Sequence, residues 1–136
     1  MKYLALSKRY GRGNTLLDVG SANNPFPNIA SEFFKMTSLE LKKPKSLSEK
    51  VQFQQGSITD DLIELKQFDV VTCWAVLEHV LDVEKAIGNL LSLCKPGGII
   101  IFSTPLAGSI ADKNGAGVTP WFFPPEHIYL ISNNAL

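Results

Sequence analysis

Short apolar runs recur along the chain and predict five β-strands. The predicted strands are Thr15–Gly20, Met36–Leu41, Val51–Gln54, Phe68–Trp74 and Ile99–Ser103. The fourth run is apolar almost throughout, which is typical of a parallel strand covered by helices on both faces. Residues 42–50 are polar and rich in Lys and Ser, and they predict a loop between the second and third strands.

Two segments between these strands predict helices. Asn24–Pro27 favours the start of the first helix, because Asn caps helices and Pro is accepted in a first turn. Ile29, Phe33 and Phe34 are expected to form its buried face. The second helix follows Asp82, a candidate N-cap. Its apolar face, at helical spacing, is predicted to consist of Val83, Ala86, Ile87, Leu90, Leu91 and Cys94.

The alternation of strands and helices indicates an α/β fold with a mainly parallel sheet. The predicted architecture has three layers and is Rossmann-like, with strand order 3-2-1-4-5 and helices on both faces. A chain of 136 residues fits a single domain, which is expected to cover 1–136. Ligands of such sheets bind at the carboxyl ends of the strands, where the strand order reverses.

Composition and charge narrow the function classes. Thirteen basic residues balance thirteen acidic ones, which argues against nucleic-acid binding. No apolar run approaches the roughly 18–20 residues that span a bilayer, so no membrane span is expected. Cys73 and Cys94 form neither a disulfide framework nor a metal-binding motif. We therefore expect a cytoplasmic protein with no metal site.

The residues after the first strand are the first candidates for chemistry. Gly20, Ser21 and Ala22 make a turn of small residues, which lets the backbone approach a ligand closely. Only one of the three glycines of the dinucleotide pattern G-x-G-x-x-G is present, so this signal is weak alone. Asp18, at the end of the strand, either contributes to a ligand site or only stabilises the turn.

Residues after the later strands extend the candidate site. Glu40 follows Asp18 by 22 positions, a spacing at which a carboxylate accepts hydrogen bonds from a ribose diol; the alternative is a solvated glutamate. Ser57 and Ile58 either frame a flat base or form an ordinary turn. Trp74 either walls a ligand pocket or packs in the core.

Several segments within residues 14–136 carry a family resemblance. Phe68–Val71, Val76–Val80 and Lys95–Ile101 follow one another as in the ubiquinone-pathway O-methyltransferases, and Asn24–Pro27 and Pro125–Tyr129 look more like bacterial methyltransferases of other pathways. The chain thus resembles the class I S-adenosylmethionine-dependent methyltransferases. The resemblance implies S-adenosylmethionine as cofactor, S-adenosylhomocysteine as product, and methyl transfer to a small-molecule acceptor.

The resemblance also implies which residues bind the cofactor. They are Asp18, Gly20, Ser21, Ala22, Glu40, Ser57, Ile58 and Trp74. Asp18 and Gly20 would hold its amino-acid end and Glu40 the ribose hydroxyls. Ser57 would lie at the adenine with Ile58 against the ring, and Trp74 would flank the sulfonium.

The chain departs from the family pattern at three positions and at its end. Ala22 and Asn24 stand where glycines are usual, and Ser57 where an acidic residue is usual, which predicts weaker cofactor binding or a shifted pose. Asn24 is expected to substitute by adopting left-handed backbone. After Ser103 no convincing strand pair is recognisable, so the family's sixth and seventh strands are expected to be missing. The exposed fifth strand then predicts a homodimer.

Three functions stay open at this point. The first is a methyltransferase in which His127 removes the acceptor's proton beneath an aromatic lid, Trp121–Phe123; the alternative is that these aromatic residues pack on the sheet and His127 binds backbone. The second is a degenerate or truncated binding or regulatory module without catalysis. The third is a nucleic-acid methylase or binder that uses the basic first third of the chain. The methyltransferase of a small molecule is favoured.

Overall fold

A computed structural model describes residues 13–61, 65–107, 125–128 and 130–132. Its elements, in chain order, are β1 (Thr15–Val19), α1 (Phe26–Ala30), β2 (Lys35–Glu40), β3 (Gln52–Gln55), β4 (Phe68–Trp74), a 3₁₀ turn (Leu77–His79), α2 (Val83–Leu93), β5 (Cys94–Ser103), β6 (Leu106–Ala107) and β7 (Ile131–Ser132).

The main sheet confirms the predicted fold class. Its strand order is β3-β2-β1-β4-β5, and all four strand pairs are parallel. Strands β1 to β4 begin and end within one residue of their predicted bounds. Strand β5 begins at Cys94 instead of Ile99, because Cys94 pairs with Phe68 across a register shift that absorbs the intervening residues.

Helices cover both faces of this sheet. Leu16 and Val70 face α1 and pack with its buried Ala30, whereas Leu17 and Val71 face the opposite side, where α2 packs. The alternation of Leu16 and Leu17 follows from the two-residue period of a strand. Burial on both sides explains why β1 and β4 are apolar on successive positions.

The predicted helix faces need correction at several residues, among them Cys94, which begins β5 instead of ending α2. Helix α1 has only five residues and ends at Ala30, so Phe33 lies outside it, and Ile29 and Phe33 are 46% and 49% exposed. Phe34 is buried as predicted, although it too lies beyond the end of α1. On α2, Leu91 is 62% exposed, and Leu93, with Ala86 and Leu90, forms the buried strip. The capping prediction is confirmed, since Asp82 Oδ1 accepts the Lys85 N–H at 2.9 Å.

A polar link ties the amino ends of three strands together. Asp69 Oδ2 in β4 accepts the Thr15 N–H at 3.0 Å, and its Oδ1 accepts a hydrogen bond from Lys95 Nζ at 2.9 Å. The hydrogen bond from the Thr15 hydroxyl, followed by that from Lys95, lowers the pKa of Asp69 to about 2. The carboxylate therefore joins β1, β4 and β5 at the edge opposite the candidate site.

The chain after β5 differs from expectation. Leu106–Ala107 and Ile131–Ser132 pair in parallel, so the prediction from sequence missed a strand pair beyond Ser103. This pair forms a separate sheet, and no sixth or seventh strand joins the main sheet among the described residues. A two-residue strand is too short to leave a recognisable pattern. Within the described ranges, five strands form the main sheet, and β5 has β4 as its one strand neighbour there. The predicted aromatic lid, Trp121–Phe123, lies outside the described residues.

The length and apolar character of the helices bear on membrane insertion. Among the helices in the described part of the chain, none has the length and apolar character needed to cross a membrane.

Candidate active site at the carboxyl edge of the sheet

The turn after β1 brings the backbone close to the loop after β4. Gly20 has φ of 70°, a left-handed conformation that side chains rarely adopt. A Cβ atom at Gly20 would lie 2.4 Å from Val76 Cγ2, so a larger residue would displace the Val76 side chain in addition to straining the backbone. Because β1 and β4 are the strands between which the chain order reverses, this turn lies at the ligand-binding position of such sheets.

Ala22 and Asn24, which stand where glycines are usual, have different backbone conformations. Ala22 adopts the left-handed conformation, with φ of 50°. Asn24 does not, and the expectation that it would was wrong. Its Oδ1 instead accepts the Phe26 N–H at 2.9 Å, which stabilises the entry into α1. The strain of the shortened glycine pattern therefore lies at Ala22.

Glu40 joins the end of β2 to this turn. Its Oε1 accepts the Ala22 N–H at 2.7 Å and the Ser21 hydroxyl at 3.0 Å. Glu40 is only 9% exposed, so the alternative of a solvated glutamate was wrong. Both bonds use one carboxylate oxygen, and they fix the turn relative to the sheet.

Asp18 is a fully buried carboxyl group beneath the turn. Its Oδ1 accepts the Thr72 hydroxyl at 2.5 Å, while Oδ2 is buried with no hydrogen-bond partner among the described residues. Burial raises the pKa of Asp18 to about 7, although the bond from Thr72 opposes that rise. A buried acceptor without a partner is suited to a ligand that brings a hydrogen-bond donor or a positive charge.

The remaining predicted cofactor residues have different surroundings. Ser57 lies in a tight local turn, where its N–H donates to Asp60 Oδ2 at 2.7 Å. Ile58 is 2% exposed and packs in the core on the α2 side of the sheet. Trp74 ends β4 half-buried, with its ring edge-on to Phe26 at 6.2 Å between centroids. Ser57 and Trp74 therefore lie at the carboxyl ends of their strands, whereas Ile58 has little free surface.

A second polar group follows β4 at the same edge. The 3₁₀ turn carries Glu78 and His79, and segment 125–128 returns alongside it. The Ile128 N–H donates to the Glu78 carbonyl at 2.7 Å, and His79 Nδ1 lies 2.8 Å from the Glu126 carbonyl. The sequence offered the alternative that His127 merely binds backbone. The structure shows in addition that its ring contacts the ring of His79, at 4.7 Å between centroids.

Both cysteines are free thiols. Cys73 is buried in the core, as predicted, and burial raises the pKa of its thiol to about 12.

A large open groove of about 1220 Å³ lies away from this edge and is lined by residues such as Lys35, Gln52 and Lys95. None of the predicted cofactor residues lines it, so it is separate from the candidate site.

Known proteins similar to this chain share its fold. The profile of a family described as "Methyltransferase domain" matches residues 2–136. A ubiquinone biosynthesis O-methyltransferase of Vibrio vulnificus (strain YJ016) is 36% identical over 111 residues, which cover 73% of this chain and 47% of that protein. A Coxiella burnetii protein of the same name is 46% identical over 41 residues, 30% of this chain and 18% of its own. The chain spans about half the length of the first of these relatives.

Solved structures give the same result for the fold. The YcgJ protein of Bacillus subtilis superposes with a TM-score of 0.65 at 22% identity, over 78% of this chain and 51% of that one. The trans-methyltransferase CalH, solved in complex with SAH, gives a TM-score of 0.59 at 16% identity, over 74% and 34%.

The sheet order agrees with the class I methyltransferase fold of these similar structures. The chain belongs to the methyltransferase-domain family, within the class I S-adenosylmethionine-dependent methyltransferases, and the resemblance expected from the sequence is confirmed.

Proposed function

We propose that this chain transfers a methyl group from S-adenosylmethionine to a small-molecule acceptor. The observation that supports this most is the arrangement of Asp18, Gly20 and Glu40 around one turn at the reversal of strand order. When bound, S-adenosylmethionine supplies an electrophilic methyl group on its sulfonium.

The residues present fit such a cofactor. Asp18 Oδ2, buried and without a partner among the described residues, is suited to the cofactor's ammonium group. Gly20 leaves room for close approach of the backbone. Glu40, already bonded to the turn, would accept the ribose hydroxyls, and Ser21, Ala22, Ser57 and Trp74 complete the proposed set. The side chain of Ile58 is buried, so we propose that it supports the site from the core and does not contact the cofactor directly.

His127 is the proposed group for removal of the acceptor's proton. A hydroxyl acceptor loses its proton as it gains the methyl group, and a neutral imidazole nitrogen accepts that proton. His127 is half-buried at the same edge as the turn after β1, since the 3₁₀ turn beside it follows Val76, which contacts Gly20. In this role the protein aligns the acceptor and the base.

Calorimetric titration of the full chain with S-adenosylmethionine and S-adenosylhomocysteine tests the proposal. We expect binding in the micromolar range, about −8 kcal/mol. Gly20→Ala should abolish it, because the new Cβ meets Val76 at left-handed φ. Gly88→Ala is the matched control: Gly88 lies in α2 with open space around its Cβ position, so binding should persist. A folded chain that binds neither compound would instead support a module without catalysis.

We also propose the binding partners and the cellular location of the chain. We infer a small-molecule acceptor and no nucleic acid, supported by the balance of thirteen basic and thirteen acidic residues. A cytoplasmic location is supported by two free cysteines, of which Cys73 is buried.

A further inference from the structure

The chain contains two histidines, and folding brings them together across 48 positions of sequence. The rings of His79 and His127 contact edge to face, at 4.7 Å between centroids. One ring nitrogen of each, together with a carboxylate oxygen of Glu78, lies within 4.8 Å of the others. We propose that Glu78, His79 and His127 form a binding site for a divalent transition-metal cation such as Zn²⁺.

The buried carboxyl group of Glu78 points to a ligand independently of the histidines. Glu78 is 1% exposed, and its Oε2 is buried with no hydrogen-bond partner among the described residues. A buried carboxylate needs a hydrogen bond or a counter-charge to offset its lost hydration. Since the neighbouring ligand atoms are imidazole nitrogens, a cation shared by all three side chains supplies that charge.

Backbone hydrogen bonds hold the two halves of the site together. When His79 Nδ1 donates to the Glu126 carbonyl, at 2.8 Å, the lone pair of its ring is on Nε2. A carbonyl that accepts from one ring nitrogen is the usual outer partner of an imidazole whose other nitrogen binds metal. The bond from Ile128 N to the Glu78 carbonyl fixes segment 125–128 against the 3₁₀ turn.

The donor atoms select the class of cation. Imidazole nitrogens suit zinc, nickel, copper and cobalt, whereas magnesium and calcium prefer oxygen ligands alone. Two histidines and one glutamate also give three protein ligands, which leaves a fourth position of a tetrahedral zinc ion for water or another oxygen ligand.

A cation at this site changes how an acceptor is activated. A cation held here would occupy the lone pair of His127, so in the metal-bound chain His127 would be a ligand and not the base. The cation would lower the pKa of a hydroxyl at the fourth position, and the proton of that hydroxyl would go to solvent water. This role rests on the proposed methyl transfer, but cation binding does not. Metal binding and cofactor binding are measured with different ligands, so failure of one is distinguishable from failure of the other.

The test is a titration of the full metal-free chain with ZnCl₂, followed by calorimetry and by ¹⁵N NMR of the two imidazole rings. We expect one Zn²⁺ per chain and simultaneous shifts of both rings. Glu78→Gln, His79→Ala and His127→Ala should each weaken binding about tenfold or more. His127→Asn offers a second, milder change, and circular dichroism checks that each variant is folded.

Two variants serve as controls for ordinary surface binding. Glu84→Gln removes an exposed carboxylate from the first turn of α2, and Cys94→Ser removes a partly exposed thiol, a group of the kind that ligates zinc in other proteins. Both should keep the affinity of the unmodified chain. Absence of Zn²⁺ binding would overturn the site. So would folded His127→Ala and His127→Asn variants that both bind Zn²⁺ as tightly as the unmodified chain.

Discussion

Ala22 carries backbone strain at the centre of the candidate site. Its φ of 50° is in the left-handed region, which costs an alanine about 1–2 kcal/mol, and Glu40 holds it there through the Ala22 N–H. Where a turn of this family usually has glycine, the chain keeps the conformation without the residue that favours it. The strain therefore comes from the alanine side chain, and a glycine at this position would not have it.

Replacing Ala22 with glycine should relieve this strain. We expect Ala22→Gly to raise the free energy of unfolding by about 1 kcal/mol in urea denaturation, and to tighten binding of S-adenosylmethionine. Ala30→Gly is the comparison. Ala30 ends α1 and its methyl group is buried in the core, so this change should lower the free energy of unfolding by at least about 1 kcal/mol. If Ala22→Gly destabilises the chain as Ala30→Gly does, the turn is not strained.

Asp18 should make stability depend on pH in the direction opposite to most carboxylates. Its pKa rises from 3.8 to about 7 on folding, so the folded state binds more protons than the unfolded state between these values. The free energy of unfolding therefore falls as pH rises from about 4 to 7, by an amount on the order of a few kcal/mol.

Urea denaturation across this pH range tests the contribution of Asp18. In Asp18→Asn the fall between pH 4 and 7 should largely disappear, because Asn does not titrate. A slope that is the same in the variant would assign the pH dependence to other groups. Cofactor binding supplies a second measurement: a positive group at Asp18 favours its ionised form, so binding near pH 6 should release protons.

At the level of elements, helix α2 depends on its N-terminal cap. Asp82 Oδ1 accepts the Lys85 N–H, which would otherwise have no partner within the helix. Asp82→Ala should lower the free energy of unfolding by about 1 kcal/mol, measured by urea denaturation. Asp82→Asn should keep most of the stability because Asn also caps helices, and equal losses in both variants would argue against capping.

Elements defined by local sequence were predictable, and those defined by distant contacts were not. Phe68–Trp74 was predicted at both ends because the apolar run of a buried strand has clear limits. The buried face of α1 was not predicted correctly, because the helix ends at Ala30 and Phe33 lies beyond it. Strands β6 and β7 are two residues each and depend on a pairing across 25 positions.

The same distinction applies to the site. Parallel topology brings the ends of β1 and β2 together, so the proximity of Asp18, Ala22 and Glu40 followed from the predicted strand order. The meeting of His79 with His127 depends on how the chain returns after β5, which no local pattern specifies. The presence of just two histidines in the chain was the one sequence signal that could have suggested the pair.

For the whole molecule, we propose that the free edge of β5 pairs with a second copy. Within the described residues β5 bonds to β4 alone, and Phe102 near its end is 38% exposed. Sedimentation equilibrium should give a dimer, and Phe102→Lys should shift it toward monomer because a charged residue blocks edge pairing. Leu91→Lys, on the exposed side of α2, should leave the dimer unchanged. A monomer at every concentration would overturn the proposed dimer.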